Sequence, residues 1–237
     1  MNFVFYGFIF GCFIPYFARK IGKLMPATMG YILLKIFVPC HYMPWSKLKN
    51  NPQYVILFNK YLMRCIGWGI FVSALTYLFA VSFDKVFTWW YITFLWMMLL
   101  LVEIDKRFLL LPDILTVPLL ILGFAYASQN GSWLSTLDPN FFSYQQNSAF
   151  GAVAGYVMPV VASMFIVWKC PEAFGGGDIK LLAAIGAWVG VEIIAYILLL
   201  SCIIFAVTCL VNRQKVGPFG PAIVYATLSM IIFVFGM

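Results

Sequence analysis

The stretch Val86-Phe-Thr-Trp-Trp-Tyr-Ile-Thr-Phe-Leu-Trp-Met-Met-Leu-Leu-Leu-Val-Glu-Ile104, followed at once by Asp105, Lys106 and Arg107, decides the class of fold. It is an almost unbroken apolar run that ends in a cluster of charge. Its length is close to the ~20 residues a helix needs to cross a bilayer. Seven further runs read the same way: Asn2–Phe17, Cys65–Val81, Ile114–Ala127, Ala149–Trp168, Leu181–Val191, Ile193–Val211 and Pro221–Phe235. The whole chain shares this character. Of its 237 residues 64 % are hydrophobic and 10 % charged, against roughly 45–50 % and about 25 % in a soluble globular protein. The expected fold is an all-α membrane protein, a polytopic helical bundle of about seven or eight transmembrane helices. Disordered, collagen-like and coiled-coil classes are excluded.

The charges test this map. With the N-terminus outside and every run crossing, loops 18–64, 105–113, 169–180 and 212–220 lie in the cytoplasm. They hold every one of the 15 Lys and Arg residues except Lys85. The long outer loop 128–148 has none. This is the asymmetry of the positive-inside rule, so the +7 net charge is a topology signal and not a nucleic-acid surface. Lipid is the expected surrounding. The N-terminus lacks the basic stretch of a cleaved signal peptide. Within the first loop, Leu24–Val38 is apolar, contains Lys35 and is flanked by Pro26 and Pro39, which suits an interfacial helix. Pro44, Trp45 and Pro52 mark turns beyond it.

The 6 cysteines include no CxxC pair, and His41 is the sole histidine. A single histidine disfavours a histidine-based triad and excludes a multi-histidine metal site, so no metal site is expected.

The chemistry must then come from the 8 acids. Asp84, Asp138 and Glu192 map to the outer ends of spans and read as solvated positions. Glu103, Asp105, Asp113, Glu172 and Asp178 all map to the cytoplasmic side. In a helix Glu103 and Asp105 point ~200° apart, and Asp105 and Asp113 are ~12 Å apart along the axis with Pro112 between them. None of these pairs shares a proton easily. The other unusual segment is Gly175-Gly176-Gly177-Asp178-Ile-Lys180, in which glycine permits positive φ and close approach of another chain. Asp178 has two readings: the N-cap of the helix that follows, or one half of an aspartyl pair. Two carboxylates within hydrogen-bond reach share one proton, so one acts as base on a water and the other as acid on a carbonyl. The 11 residues of Leu181–Val191 span only ~16 Å. Such a crossing needs the glycine segment to dip into the membrane beside protein or a water-filled cavity.

These two segments together resemble the type IV prepilin peptidase family, membrane aspartyl proteases of the GxGD class. The first matching signature is Ile104-Asp105 with Leu111-Pro112-Asp113-Ile-Leu-Thr-Val-Pro118. The second is Gly175-Gly-Gly-Asp178-Ile-Lys180-Leu-Leu-Ala-Ala-Ile-Gly186-Ala-Trp188. Glu172 matches a family glutamate, and Phe219-Gly-Pro-Ala222 resembles the segment before the family's last span. The likeness covers residues 100–237. It implies Asp105 and Asp178 as the catalytic pair. Gly175, Gly176, Gly177, Pro112, Asp113, Lys180 and Glu172 would shape the site. Lys106, Arg107 and Lys180 would tune the pair or meet lipid phosphates. It also implies a bacterial inner-membrane protease that removes basic leaders from prepilins or pseudopilins at the cytoplasmic face, with no cofactor for proteolysis.

Residues 1–64 depart from the family pattern. Many members carry two CxxC pairs in the first cytoplasmic loop and also N-methylate the new N-terminus with S-adenosylmethionine. Here Gly7-Phe-Ile-Phe-Gly-Cys-Phe13 is only loosely similar, and the loop has Cys40 alone. Residues 1–64 therefore read as a first span plus a degenerate methyltransferase-like loop, and residues 65–237 as the peptidase domain. The missing cysteines argue against methylation, and S-adenosylmethionine would enter only if that activity were retained. The alternatives are a non-catalytic membrane scaffold of a pilus or secretion assembly, a small proton- or cation-coupled transporter, and another GxGD protease of the signal-peptide peptidase kind.

Overall fold

The computed structural model describes residues 2–25, 32, 52–82, 88–130, 143–167, 175–213 and 217–235, and within them each of the eight apolar runs falls on a helix. In chain order they are α1 (Asn2–Leu24), α2 (Pro52–Ser82), α3 (Thr88–Phe108), α4 (Asp113–Asn130), α5 (Tyr144–Val167), α6 (Gly176–Val189), α7 (Val191–Asn212) and α8 (Gly220–Phe235). No strand occurs among the described residues. Among the described residues, five helices, α1, α2, α3, α5 and α7, are long and apolar enough to cross a membrane. Their outward faces are apolar: on α7, Leu199, Ile203 and Leu210 are all exposed. Water would not tolerate such a surface, whereas lipid does. The chain is a multi-pass helical membrane protein.

Two boundaries differ from the sequence reading. The sequence places the first loop at residues 18–64, but α1 continues through Arg19, Lys20 and Lys23, and α2 already begins at Pro52. Basic side chains do not stop a helix that runs past the apolar layer, since Lys and Arg are good helix formers. Pro52 opens α2 instead of marking a turn, because the first helical position needs no N–H. The interfacial segment Leu24–Val38 lies outside the described residues apart from Leu24, Met25 and Ile32, and Cys40 lies outside them too.

The chain divides into two compact units, Met1–Glu103 and Ile104–Met237. This packing boundary falls inside the segment 65–237 assigned above to the peptidase domain. In the first unit α1 lies against α2 through glycines. A Cβ on Gly11 would sit 2.6 Å from the Trp68 carbonyl, and one on Gly69 would sit 2.6 Å from Cys12 Sγ. Small residues at a helix seam let backbones approach, which is how helices associate when lipid removes the hydrophobic drive. Phe10 stacks on Trp96 at 4.6 Å, and the Trp96 indole N–H donates to Thr76 Oγ1 at 3.0 Å. Arg64 donates to Glu103 Oε1 at 2.9 Å and neutralises an acid that is 1 % exposed.

The second unit is built on α6, whose residues from Leu181 to Val189 are all buried. Gly151 of α5 and Gly186 of α6 face each other, and a Cβ on either would run into the other's backbone. Gly155 stands in the same relation to the Leu182 carbonyl. On another side of α6, Trp188 stacks on Tyr126 and donates its indole N–H to the Leu119 carbonyl at 2.8 Å. Gly123 leaves room for that ring. Ser148 donates to the Ala187 carbonyl at 2.6 Å. α6 stops at Gly190, whose φ of 86° only glycine adopts without strain, and α7 begins at the next residue. The freed Val191 N–H is taken up by Asn147 Oδ1 at 3.1 Å.

Candidate active site

α3 delivers the first aspartate in its last turn. Asp105 is buried, at 4 % exposure. The helix ends because Leu109 turns left-handed, with φ 52°, and its N–H closes on the Asp105 carbonyl at 2.9 Å. A leucine in that conformation is strained, so neighbouring structure holds it there. The chain turns through Leu110–Pro112 and starts α4, where the Pro112 carbonyl accepts from the N–H groups of Leu115 and Thr116. Asp113 stands in that first turn, where the helix dipole favours a negative charge. Its two oxygens each accept from Lys180 Nζ at 2.7 Å.

α6 delivers the second aspartate at its start. Gly175 is the N-cap, with φ −71° and ψ 140°, and Gly176, Gly177 and Asp178 already lie in the first turn. Two expectations are corrected here. The glycines do not use positive φ; among the described glycines only Gly190 does. The segment is also not an irregular dip, because the helix takes it up and reaches 14 residues, or ~21 Å. The glycines serve close approach instead. A Cβ on Gly177 would lie 2.8 Å from Leu111 Cβ, so the two signature segments touch there. Asp178 is not the N-cap itself. Its carboxylate reaches back to the Gly175 N–H, as the acid of a capping box does.

Asp178 feels Asp105. Its carboxyl is pushed up to about 7, first by burial and next by the negative charge of Asp105, with the Gly175 hydrogen bond opposing both. Such a carboxyl holds a proton near neutral pH and can give it up. The third contributor is Gly220, the first residue of α8. Its N–H donates to Asp105 Oδ2 at 2.9 Å in a buried hydrogen bond. A Cβ there would lie 2.7 Å from the same oxygen. The structure thus brings together Asp105, Asp178, Gly175, Gly177 and Leu111. Asp113 and Lys180 form an ion pair beside them, and Glu103 is committed to Arg64. Lys106 donates to Tyr225 Oη at 3.0 Å. Glu172 lies outside the described residues. Sequence reasoning assigned no role to Gly220, although the Phe219-Gly-Pro run before the last helix was its signal.

Lys106, Phe205, Thr208, Asn212, Pro218 and Tyr225 are among the residues around a cavity of about 210 Å³ at the ends of α3, α7 and α8. Pro218 and Pro221 of its wall stand on either side of Gly220 in the sequence.

Comparison with known proteins identifies the family of the chain. A model of the type IV leader peptidase family matches residues 92–210, which include Asp105, Asp113 and the segment from Gly175 to Lys180. A prepilin leader peptidase/N-methyltransferase of Vibrio cholerae serotype O1 is 32 % identical over 140 residues, 56 % of this chain and 50 % of the relative. The protein of the same name from Aeromonas salmonicida is 33 % identical over 205 residues, 77 % of this chain and 66 % of the relative. The one from Dichelobacter nodosus is 31 % identical over 205 residues, 80 % of this chain and 67 % of the relative. The chain thus spans from half to two thirds of the length of these relatives. No solved structure matches it.

Proposed function

Since the chain belongs to the type IV leader peptidase family, we propose that it is an aspartyl endopeptidase that removes the basic leader from prepilins or pilin-like precursors. The observation that supports this is that the charge of Asp105 reaches the buried Asp178 carboxyl and raises its proton affinity. In the reaction the ionised carboxylate takes a proton from water as the water oxygen attacks the scissile carbonyl carbon. The protonated carboxyl gives its proton to the carbonyl oxygen. Collapse of the tetrahedral species returns that proton, breaks the C–N bond and protonates the leaving amine from the first carboxyl. One water is consumed, and the pair ends as it began.

The location is the bacterial cytoplasmic membrane, with the N-terminus outside and the site toward the cytoplasm. The support is the basic residues, of which all but Lys85 of the 15 fall on one side. The relatives' names join peptidase to N-methyltransferase. For this chain the reading keeps the first activity and not the second, since the first loop has Cys40 alone and S-adenosylmethionine is not needed for hydrolysis. Gly175, Gly176, Gly177, Pro112, Asp113, Lys180 and Glu172 are assigned to shaping the site, with Asp113 and Lys180 doing so as an ion pair.

The test is co-expression with candidate prepilins, read by gel shift. Wild type shortens the precursor, while Asp105→Ala and Asp178→Ala at equal membrane abundance leave it whole. Cleavage by either variant removes that aspartate from the mechanism. The mass of the mature N-terminus reads methylation, and an unmodified amine is expected.

A further inference from the structure

The start of α8 is short of backbone donors. Its second residue is Pro221, which has no N–H, and the first bond of the helix runs from the Ile223 N–H to the Phe219 carbonyl at 3.2 Å. The Gly220 N–H lies one residue before this proline and finds Asp105 Oδ2 at 2.9 Å. That contact is buried, and a buried N–H left without an acceptor is costly. The bond therefore has a use for α8, as a cap supplied by another helix. It also has a use for Asp105. A carboxylate on a single bond to Cβ is free to rotate, and here one oxygen is fixed. The Cβ-free face of Gly220 is a second, independent requirement. Any side chain would begin 2.7 Å from Oδ2 and 3.3 Å from Asp105 Cβ, driving the carboxylate off its donor.

We propose that Gly220 is a positioning residue for the proposed peptidase reaction: it holds Asp105 by Oδ2 and leaves Oδ1 as the oxygen that works on water. The inference rests on the two-aspartate reading above. The N–H and the positive end of α8 both favour the charged carboxylate over the neutral one. Among the described residues, other ionisable groups lie on the neighbouring elements. Asp178 faces it from α6. Lys106 follows it on α3 and is bound to Tyr225, and Arg107 comes next. On α4, Asp113 is bound to Lys180.

Two measurements test this. The first is the pH profile of precursor cleavage for Gly220→Ala beside Gly217→Ala. The control sits three residues before it, where a new Cβ would meet only Phe205 Cε2, at an ordinary 3.8 Å. Gly220→Ala is expected to lose about 10²-fold in kcat, the effect of a small misplacement, with KM kept. Its acid limb moves to higher pH by roughly one unit, because the bond that favours the charged form is lost. Gly217→Ala matches wild type in all three. A fall in kcat with an unmoved acid limb, a rise in KM instead, or an equal loss in Gly217→Ala overturns the proposal.

The second measurement needs no activity. Asp105→Asn keeps an acceptor oxygen for the Gly220 N–H, and Asp105→Leu does not, so the leucine variant is expected to melt several degrees lower in mild detergent. Equal melting would show that the bond anchors nothing. If wild type cleaves no precursor, the peptidase reading falls, while the melting comparison still decides whether Gly220 holds Asp105.

Discussion

The two units of the chain treat a buried acid in opposite ways, although the acids are two residues apart on α3. In the first unit Glu103 is 1 % exposed and meets a guanidinium at 2.9 Å. In the second, Asp105 is 4 % exposed and meets a backbone N–H and the field of another carboxyl. A buried charge beside its opposite is satisfied, and its chemistry is finished. A buried charge beside its like is kept in tension, and only a proton relieves it. On the proposed function, the contrast separates a structural acid from a reactive one more sharply than burial does, because both are equally hidden.

The largest effect should come from neutralising the reactive acids. Asp105→Asn and Asp178→Asn are each expected to lower cleavage by about 10⁴-fold, the upper range for removing one member of an acid–base pair. Membrane abundance would stay near wild type, and precursor turnover per folded enzyme is the measurement. Glu103→Gln gives the converse, with turnover per folded enzyme unchanged.

Next comes the structural acid. Arg64→Met leaves Glu103 buried without its partner and is expected to cost roughly 1–3 kcal/mol, less than a fully enclosed pair because the arginine side chain is 50 % exposed. Unfolding in detergent would measure it. Adding Glu103→Gln to Arg64→Met should restore most of the loss. If Arg64→Met instead lowered turnover of the folded enzyme, the division between the two acids would break.

The pH profile sharpens the comparison further. The Asp178 carboxyl, raised to about 7, keeps its proton below neutrality and loses it above. Both members of the pair are then charged and the acid is gone. Initial cleavage rates are therefore expected to decline above pH ~7, toward tenfold per unit. A rate flat to pH 9 would mean that the proton sits elsewhere. The smallest effect belongs to the exposed pair of Asp113 and Lys180. Asp113→Asn or Lys180→Met should cost at most about 1 kcal/mol and change turnover only a few-fold. A charge-reversed double variant should recover it.

Much of the fold was legible. Among the described residues, all eight helices follow the eight apolar runs, because in lipid every backbone polar group must be satisfied within its own segment. The boundaries of α1 and α2 were misplaced because charge was used to end the spans, yet Lys23, Lys60 and Arg64 ride on the same helices beyond the apolar stretch. Of the two uses open to the glycines of the second signature, close approach is the one taken, at Gly177. A sequence shows that glycine permits unusual φ, but not that Leu111 lies against Gly177. No spacing rule could join Asp105 to Asp178, which lie on different helices; the resemblance supplied that pairing. The partners of Lys180 and Lys106 are tertiary contacts and left no trace in the local pattern.

The bare seam between Gly151 and Gly186 has a mechanical consequence. With no side chains between them, α5 and α6 rest backbone on backbone, and no rotamer change is available there to absorb motion. α6 carries Asp178 at its tip. Warming therefore cannot loosen that aspartate by degrees, and heat inactivation should follow the loss of helix packing in one step, with full turnover up to the onset of melting.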